Sequence, residues 1–263
     1  MRARVITALV AIPPLVFIVG FGPLWLFSTL VFVVTALALR EYYLLVAPES
    51  TEWRVAGMLL GLATAWTVTL TGPSWTTELS LAGAFVGCFC WTLFLKRENE
   101  PQTLSWFLLG LVYLGGFLPH FVLLSELPRG REWIFFVLLT VMAADTGGYF
   151  IGTLFGKTKL APRLSPGKTI EGTAGLIATG ALAGSLAARL WLPSLSGGEA
   201  AFVAFCLSVL GQLGDLFESW IKRRWGVKDS GALFPGHGGI LDRVDSLIFP
   251  AVFTTLYVKG LHS

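Results

Sequence analysis

The sequence predicts an all-α, polytopic integral membrane protein of about nine transmembrane helices with a cytoplasmic N-terminus, on three observations. Hydrophobic residues make up 54% of the 263 residues and charged residues only 13%, about half the roughly 25% charge of an ordinary globular protein. No water-facing shell can be built from that. Apolar runs recur along the whole chain, and basic residues gather between alternate runs. Disorder is excluded because it needs few apolar residues. A net charge of +3 gives a nucleic acid little to pull on, so no nucleic-acid partner is expected.

The runs fall at about 5–20, 24–46, 54–71, 79–95, 104–125, 132–152, 172–192, 200–221 and 243–259. Most reach or approach the ~20 residues that cross a ~30 Å hydrocarbon core. The first is short and broken by Pro13-Pro14, which suits a re-entrant or kinked entry and makes eight spans the alternative count. Arg2 and Arg4 ahead of it look like the start of a signal peptide, but no Ala-x-Ala site follows, so a retained anchor is expected. In the seventh run Gly175, Ala178, Gly180, Ala183, Gly184 and Ala187 suit close helix contact in lipid and are compatible with a homodimer. Cys88, Cys90 and Cys206 lie in apolar stretches and read as small core hydrophobes. The tryptophans read as interfacial belts. With no soluble domain and no repeat, residues 1–263 read as one transmembrane catalytic domain, hydrophobic over about 1–130 and catalytic over about 131–263.

With the N-terminus inside, all 19 lysines and arginines fall on the cytoplasmic side except Arg129, Arg131, Arg189 and Lys259. The positive-inside bias therefore orients the chain N-in with its C-terminus outside. The two cytoplasmic segments richest in basic residues, 157–168 and 222–243, then share that face and contain the loops 156–172 and 226–241. Both are too long and too rich in Gly and Pro to be simple connectors.

Charges within spans are costly and usually face a cavity where they have a task. Asp145 lies in the sixth run; Asp215, Glu218, Ser219 and Lys222 share one helical face of the eighth by their i, i+3, i+4, i+7 spacing; Asp242 and Asp245 repeat the i, i+3 spacing at the start of the ninth. Converging carboxylates repel unless a cation joins them, and hard oxygen ligands suit Mg²⁺, with room in so acidic a set for a second cation. Beside them lie Lys222, Arg223, Arg224 and Lys228, the glycine turn Pro235-Gly236-His237-Gly238-Gly239, and Ser165-Pro166-Gly167-Lys168-Thr169. The glycines let backbone N–H groups approach a phosphate, and the lysines and hydroxyls suit an anion. The composite describes a polyphosphate and metal site at the membrane surface. Three plainer readings stay open: Asp215, Glu218 and Lys222 pair only to hold helices together, the loop lysines form a solvated face towards anionic headgroups, and His237 merely packs its turn.

The stretch Ser219-Trp220-Ile221-Lys222-Arg223, then Lys228-Asp229-Ser230-Gly231, then Phe234-Pro235-Gly236-His237-Gly238-Gly239-Ile240-Leu241-Asp242-Arg243-Val244-Asp245 resembles the signature of the phosphatidate cytidylyltransferase family. Upstream, Asp145-Thr146, Tyr149, 156–160, 165–169 and Glu171-Gly172 are similar to that family's second motif, with Gly148 and Ile170 where alanine and tryptophan would be expected. The resemblance implies conversion of phosphatidic acid and CTP to CDP-diacylglycerol and pyrophosphate, dependent on Mg²⁺, in a bacterial plasma membrane with the site facing the cytoplasm. It implies metal held by Asp215, Asp242 and Asp245, and phosphates neutralised by Lys168, Lys222, Arg223 and Lys228. Gly238 and Gly239 would supply backbone donors, Asp145 and Asp229 would orient the lysines or a bound water, and Ser165, Glu218, Ser219 and His237 would complete the substrate contacts. Lys222, beyond Glu218 on the acidic face, is expected nearer the metal than Lys168. Competing readings are a CTP-dependent lipid kinase or ether-lipid cytidylyltransferase, which would share the nucleotide logic, and a secondary transporter, which should carry an inverted repeat and deeper charges.

Overall fold

A computed structural model describes residues 13–72, 74, 81–83, 86, 101–231, 233 and 238–262. Most of the expected run at 79–95, the first half of that at 5–20, and Cys88, Cys90 and His237 lie outside these. The helices are α1 (Leu24–Val46), α2 (Thr51–Thr71), α3 (Pro101–Gly110), α4 (His120–Glu126), α5 (Gly130–Phe155), α6 (Ile170–Trp191), α7 (Gly197–Arg224) and α8 (Leu241–His262), with a π-helical turn, Leu111–Gly116, between α3 and α4. Among the described residues seven helical stretches are long and apolar enough to cross a membrane, α3 to α4 acting as one of them from Leu104 to Glu126. They coincide with seven of the expected runs.

Lipid is the solvent these helices are built for. Large apolar side chains face outward on α5 (Leu154), α6 (Leu182, Leu190) and α7 (Phe202), Leu190 being 78% exposed. Such a surface is untenable in water. Ends are set by local chemistry: Ser50 caps α2 through Trp53 N, 3.2 Å, and Ser196 with Glu199 forms a reciprocal capping box opening α7. Lys222, Arg223 and Arg224 occupy the last turn of α7, where cations suit the helix dipole.

The chain divides into two compact units. The first holds residues to Glu126 with Asp229–Arg243 and Thr255 onward, so the last part of the chain returns to the N-terminal half. Here Tyr42 Oη donates to Trp106 O at 2.7 Å and Tyr43 Oη to Phe107 O at 2.9 Å, just ahead of the π-helical turn. At the C-terminal end of α8, Thr255 Oγ1 donates to His120 O at 3.0 Å.

The second unit, Leu127–Lys228 with Val244–Thr254, contains the two-stranded sheet that, among the described residues, departs from the all-α expectation. Residues read as loop pair as a hairpin, β1 (Lys159–Ala161) antiparallel to β2 (Ser165–Thr169), with Ala161 opposite Ser165. Thr169 then leaves β2 as the N-cap of α6, accepting from Gly172 N at 3.0 Å. The small residues of α6 work as expected in part. A Cβ on Gly175 would meet Ile151 at 2.5 Å, and one on Gly184 would meet Ala204 at 2.5 Å and Thr140 at 2.7 Å. Ala178 is exposed and Ala183 half-buried, so these two lie off the packed face. Gly184→Leu should therefore destabilise by ~1–3 kcal/mol or more through overpacking, seen as a lower unfolding temperature in detergent, while Ala178→Leu on the exposed side should leave it unchanged.

Candidate active site

In the second unit the hairpin delivers Lys168 to α7. Lys168 Nζ lies 2.8 Å from Asp215 Oδ2, with the two side chains only 21% and 35% exposed, so this is no solvated surface pair. Ser219 Oγ reaches the other oxygen, Asp215 Oδ1, at 3.4 Å. Asp145, from α5, interacts electrostatically with both Asp215 and Lys168 and meets the Ser246 side chain. Asp245, from α8, interacts with Asp215, Lys222 and Asp145, and its Oδ1 accepts from Ser246 N at 2.7 Å. Burial deepens across the group: Asp145 is exposed, Asp215 half-buried and Asp245 buried.

Close backbone approach makes this possible. A Cβ on Gly214 would overlap the carbonyl oxygen of Asp245, so only glycine lets α7 and α8 meet where Asp215 and Asp245 project. Glu218, wholly buried, pairs with Lys222 one turn along α7. Arg223 serves the backbone: its Nε donates to Leu164 O at 3.1 Å and its Nη1 to Val227 O at 2.9 Å, tying the hairpin to the end of α7. Glu171 accepts from Lys157 N at 3.1 Å and Thr158 N at 3.1 Å, fixing the hairpin's first strand. Ser165 is half-buried in β2; Lys228 and Asp229 are exposed.

In the first unit, Asp242 Oδ2 accepts from Ser230 N at 3.0 Å, Ser230 Oγ at 2.9 Å and Gly239 N at 2.8 Å. The Gly239 N–H expected to face a phosphate is thus taken by a carboxylate. Gly238 has φ +77°, a left-handed conformation that favours glycine, and a Cβ there would meet Asp242 Oδ2 at 2.5 Å.

A profile described as the cytidylyltransferase family matches residues 2–261. The chain belongs to the cytidylyltransferase family. It is similar to the phosphatidate cytidylyltransferase of Bacillus subtilis, 33% identical over 96% of both chains. The enzyme of that name from Staphylococcus epidermidis is 40% identical over 66% of this chain and 68% of its own. That from Brucella suis is 42% identical over 58% of this chain and 57% of its own. Membership makes the chain a membrane-embedded nucleotidyltransferase.

Within this family member the charged residues sort differently from the expectation. Lys168, expected to stand further from the acidic group than Lys222, is paired directly with Asp215. Asp145 joins Asp215 and Asp245, while Asp242 Oδ2 is committed to its loop. Among the described residues no three His, Cys, Asp or Glu side chains stand in a metal-holding arrangement as they are. The donor set nevertheless suits a hard cation: Asp145, Asp215 and Asp245 offer only carboxylate oxygens, and Asp215 already holds a cation, the Lys168 ammonium. Sequence reasoning missed Ser246, Gly214 and the buried Glu41. For Glu41 the signal was available, since it is a carboxylate inside the second apolar run.

Proposed function

We propose that the protein is a CTP:phosphatidate cytidylyltransferase that forms CDP-diacylglycerol and pyrophosphate by metal-assisted in-line transfer in a bacterial plasma membrane. The observation that carries this reading is the Lys168–Asp215 pair within the Asp145, Asp215 and Asp245 group, on helices whose outer faces suit lipid. End-to-end likeness to a protein named phosphatidate cytidylyltransferase supports it. An oxygen of the lipid phosphate attacks the α-phosphorus of CTP, the bond to the β-bridging oxygen breaks, and pyrophosphate leaves with that electron pair. A phosphate monoester is already largely ionised near neutral pH, so no general base is required.

Catalysis is then positioning and charge neutralisation. Asp145, Asp215 and Asp245 would hold Mg²⁺, which when bound supplies positive charge to the phosphates. Lys168 and Lys222 neutralise phosphoryl oxygens, Lys168 exchanging Asp215 for substrate. Arg223 and Glu171 keep the hairpin where Lys168 can do so. The test incubates purified protein in detergent with Mg²⁺, labelled CTP and phosphatidic acid. A labelled lipid that needs phosphatidic acid supports the reading; transfer only of the γ-phosphate, or only to another lipid acceptor, overturns it.

The site is proposed to face the cytoplasm. Gly167, in strand β2, and Gly197, at the start of α7, each have open space where a Cβ would stand. In a background lacking the native cysteines, Gly167→Cys should react with a membrane-impermeant thiol reagent only from the cytoplasmic side, and Gly197→Cys only from outside. Labelling of both from one side would reject this topology.

A further inference from the structure

Glu41 lies on α1 and is 4% exposed. Ile240 N donates to its Oε1 at 2.9 Å, Leu241 N to its Oε2 at 2.9 Å, and Ser230 Oγ to the same Oε2 at 3.0 Å. Leu241 opens α8 and Ile240 precedes it, so these N–H groups are among the donors a helix start leaves without intrahelical partners. A carboxylate there also meets the positive end of the helix dipole. Asp242 closes the other side by accepting from Gly239 N and Ser230 N. The glycines complete the fit: a Cβ on Gly231 would meet Glu41 Oε1 at 2.8 Å, and one on Gly239 would overlap Glu41 Oε2. A buried carboxylate is a poor choice for stability alone, because an apolar side chain of similar volume avoids its desolvation.

We infer that Glu41 is a positioning residue for the nucleotidyl transfer, capping α8 from the far end of the sequence and fixing the loop at Ser230 and Gly239. It does not touch substrate; it sets the start of the helix that carries Asp245. A carboxylate held by two backbone N–H groups, with the Ser230 hydroxyl shared between it and Asp242, sets the rotation of α8 more sharply than apolar packing would.

The activity arm of the test rests on the function proposed above, whereas its exchange arm does not. Glu41→Gln, Glu41→Ala and, as a control, Leu39→Ala would be compared in detergent for thermal unfolding, kcat, KM for CTP and hydrogen exchange of 238–245. Leu39 is fully buried on the same helix but packs against Gly61 of α2, so it reports destabilisation alone. Expected are faster exchange at Ile240 and Leu241 in both Glu41 variants and a kcat loss of ~10–100-fold with a smaller change in KM, the range seen for residues that orient ligands. Leu39→Ala should keep native exchange there and near-native kcat. Glu41→Gln keeps the shape, so it carries the test if the alanine variant does not fold. Native exchange at 240–241 in the Glu41 variants, or a kcat loss no greater than that of Leu39→Ala, overturns the inference. If the native protein forms no CDP-diacylglycerol, the proposed function fails while the exchange result still decides what Glu41 does.

Discussion

Asp215→Asn and Asp245→Asn should each lower turnover by at least ~100-fold, roughly 2.7 kcal/mol of barrier, in protein that remains folded in detergent. Asparagine keeps the shape of the side chain and removes its charge. At position 215 that charge is what holds Lys168 at 2.8 Å, and at 245 it is one of three carboxylates that act on one another. Losing one charge weakens both the grip on a divalent cation and the placing of Lys168, and neither loss disturbs the apolar faces that hold the helices. Native turnover should require Mg²⁺ or Mn²⁺ and disappear with excess chelator, and both variants should need more metal for their residual rate. Steady-state kinetics over a Mg²⁺ series measure this. Native rates in either variant would make these carboxylates structural. Asp242→Asn differs in kind, since Asp242 Oδ2 accepts from Ser230 and Gly239; its loss should come with faster exchange in the loop.

Lys222→Ala should be the most destabilising of the charged-residue substitutions. Glu218 is wholly buried and Lys222 is the cation that faces it. Removing one partner of a buried pair costs ~3–5 kcal/mol, most of it the penalty of the stranded charge. A fall in unfolding temperature or in the yield of folded protein is therefore expected. Adding Glu218→Gln removes that penalty and should restore stability. Turnover should stay at least ~10-fold below native, because Lys222 also acts on Asp245 and the double variant still lacks that positive charge. Thermal unfolding and turnover of the single and double variants separate the two effects. A double variant that regains native turnover would reduce Lys222 to a counter-ion for Glu218.

Much of the candidate site was legible because charge within an apolar run is conspicuous. Asp145, Asp215, Glu218 and Asp245 stand out for that reason, and the i, i+3, i+4, i+7 spacing on α7 correctly groups Asp215, Glu218, Ser219 and Lys222. Partners were not legible. The same spacing made Asp242 and Asp245 equivalent, yet Asp242 Oδ2 turns to a loop and Asp245 to the aspartates. Arg223 looked like a phosphate ligand and instead holds the carbonyls of Leu164 and Val227. The hairpin at 159–169 was read as loop, since Lys159–Ala161 and Ser165–Thr169 are short and carry no apolar alternation.

The sequence by itself determined the solvent, the helical class and most of the spans, because these are transfer free energies summed over some twenty neighbouring residues and need no knowledge of distant ones. The capping box of Ser196 and Glu199 is local in the same way. Only the tertiary structure decided which carboxylate meets which cation or amide. Glu41 finds Leu241 across 200 positions, and its lone place in an apolar run carries no spacing that points there. Such a pairing depends on where two backbones come to rest, and here that is set by glycines at 214, 231 and 239, which let chains approach more closely than any side chain would allow.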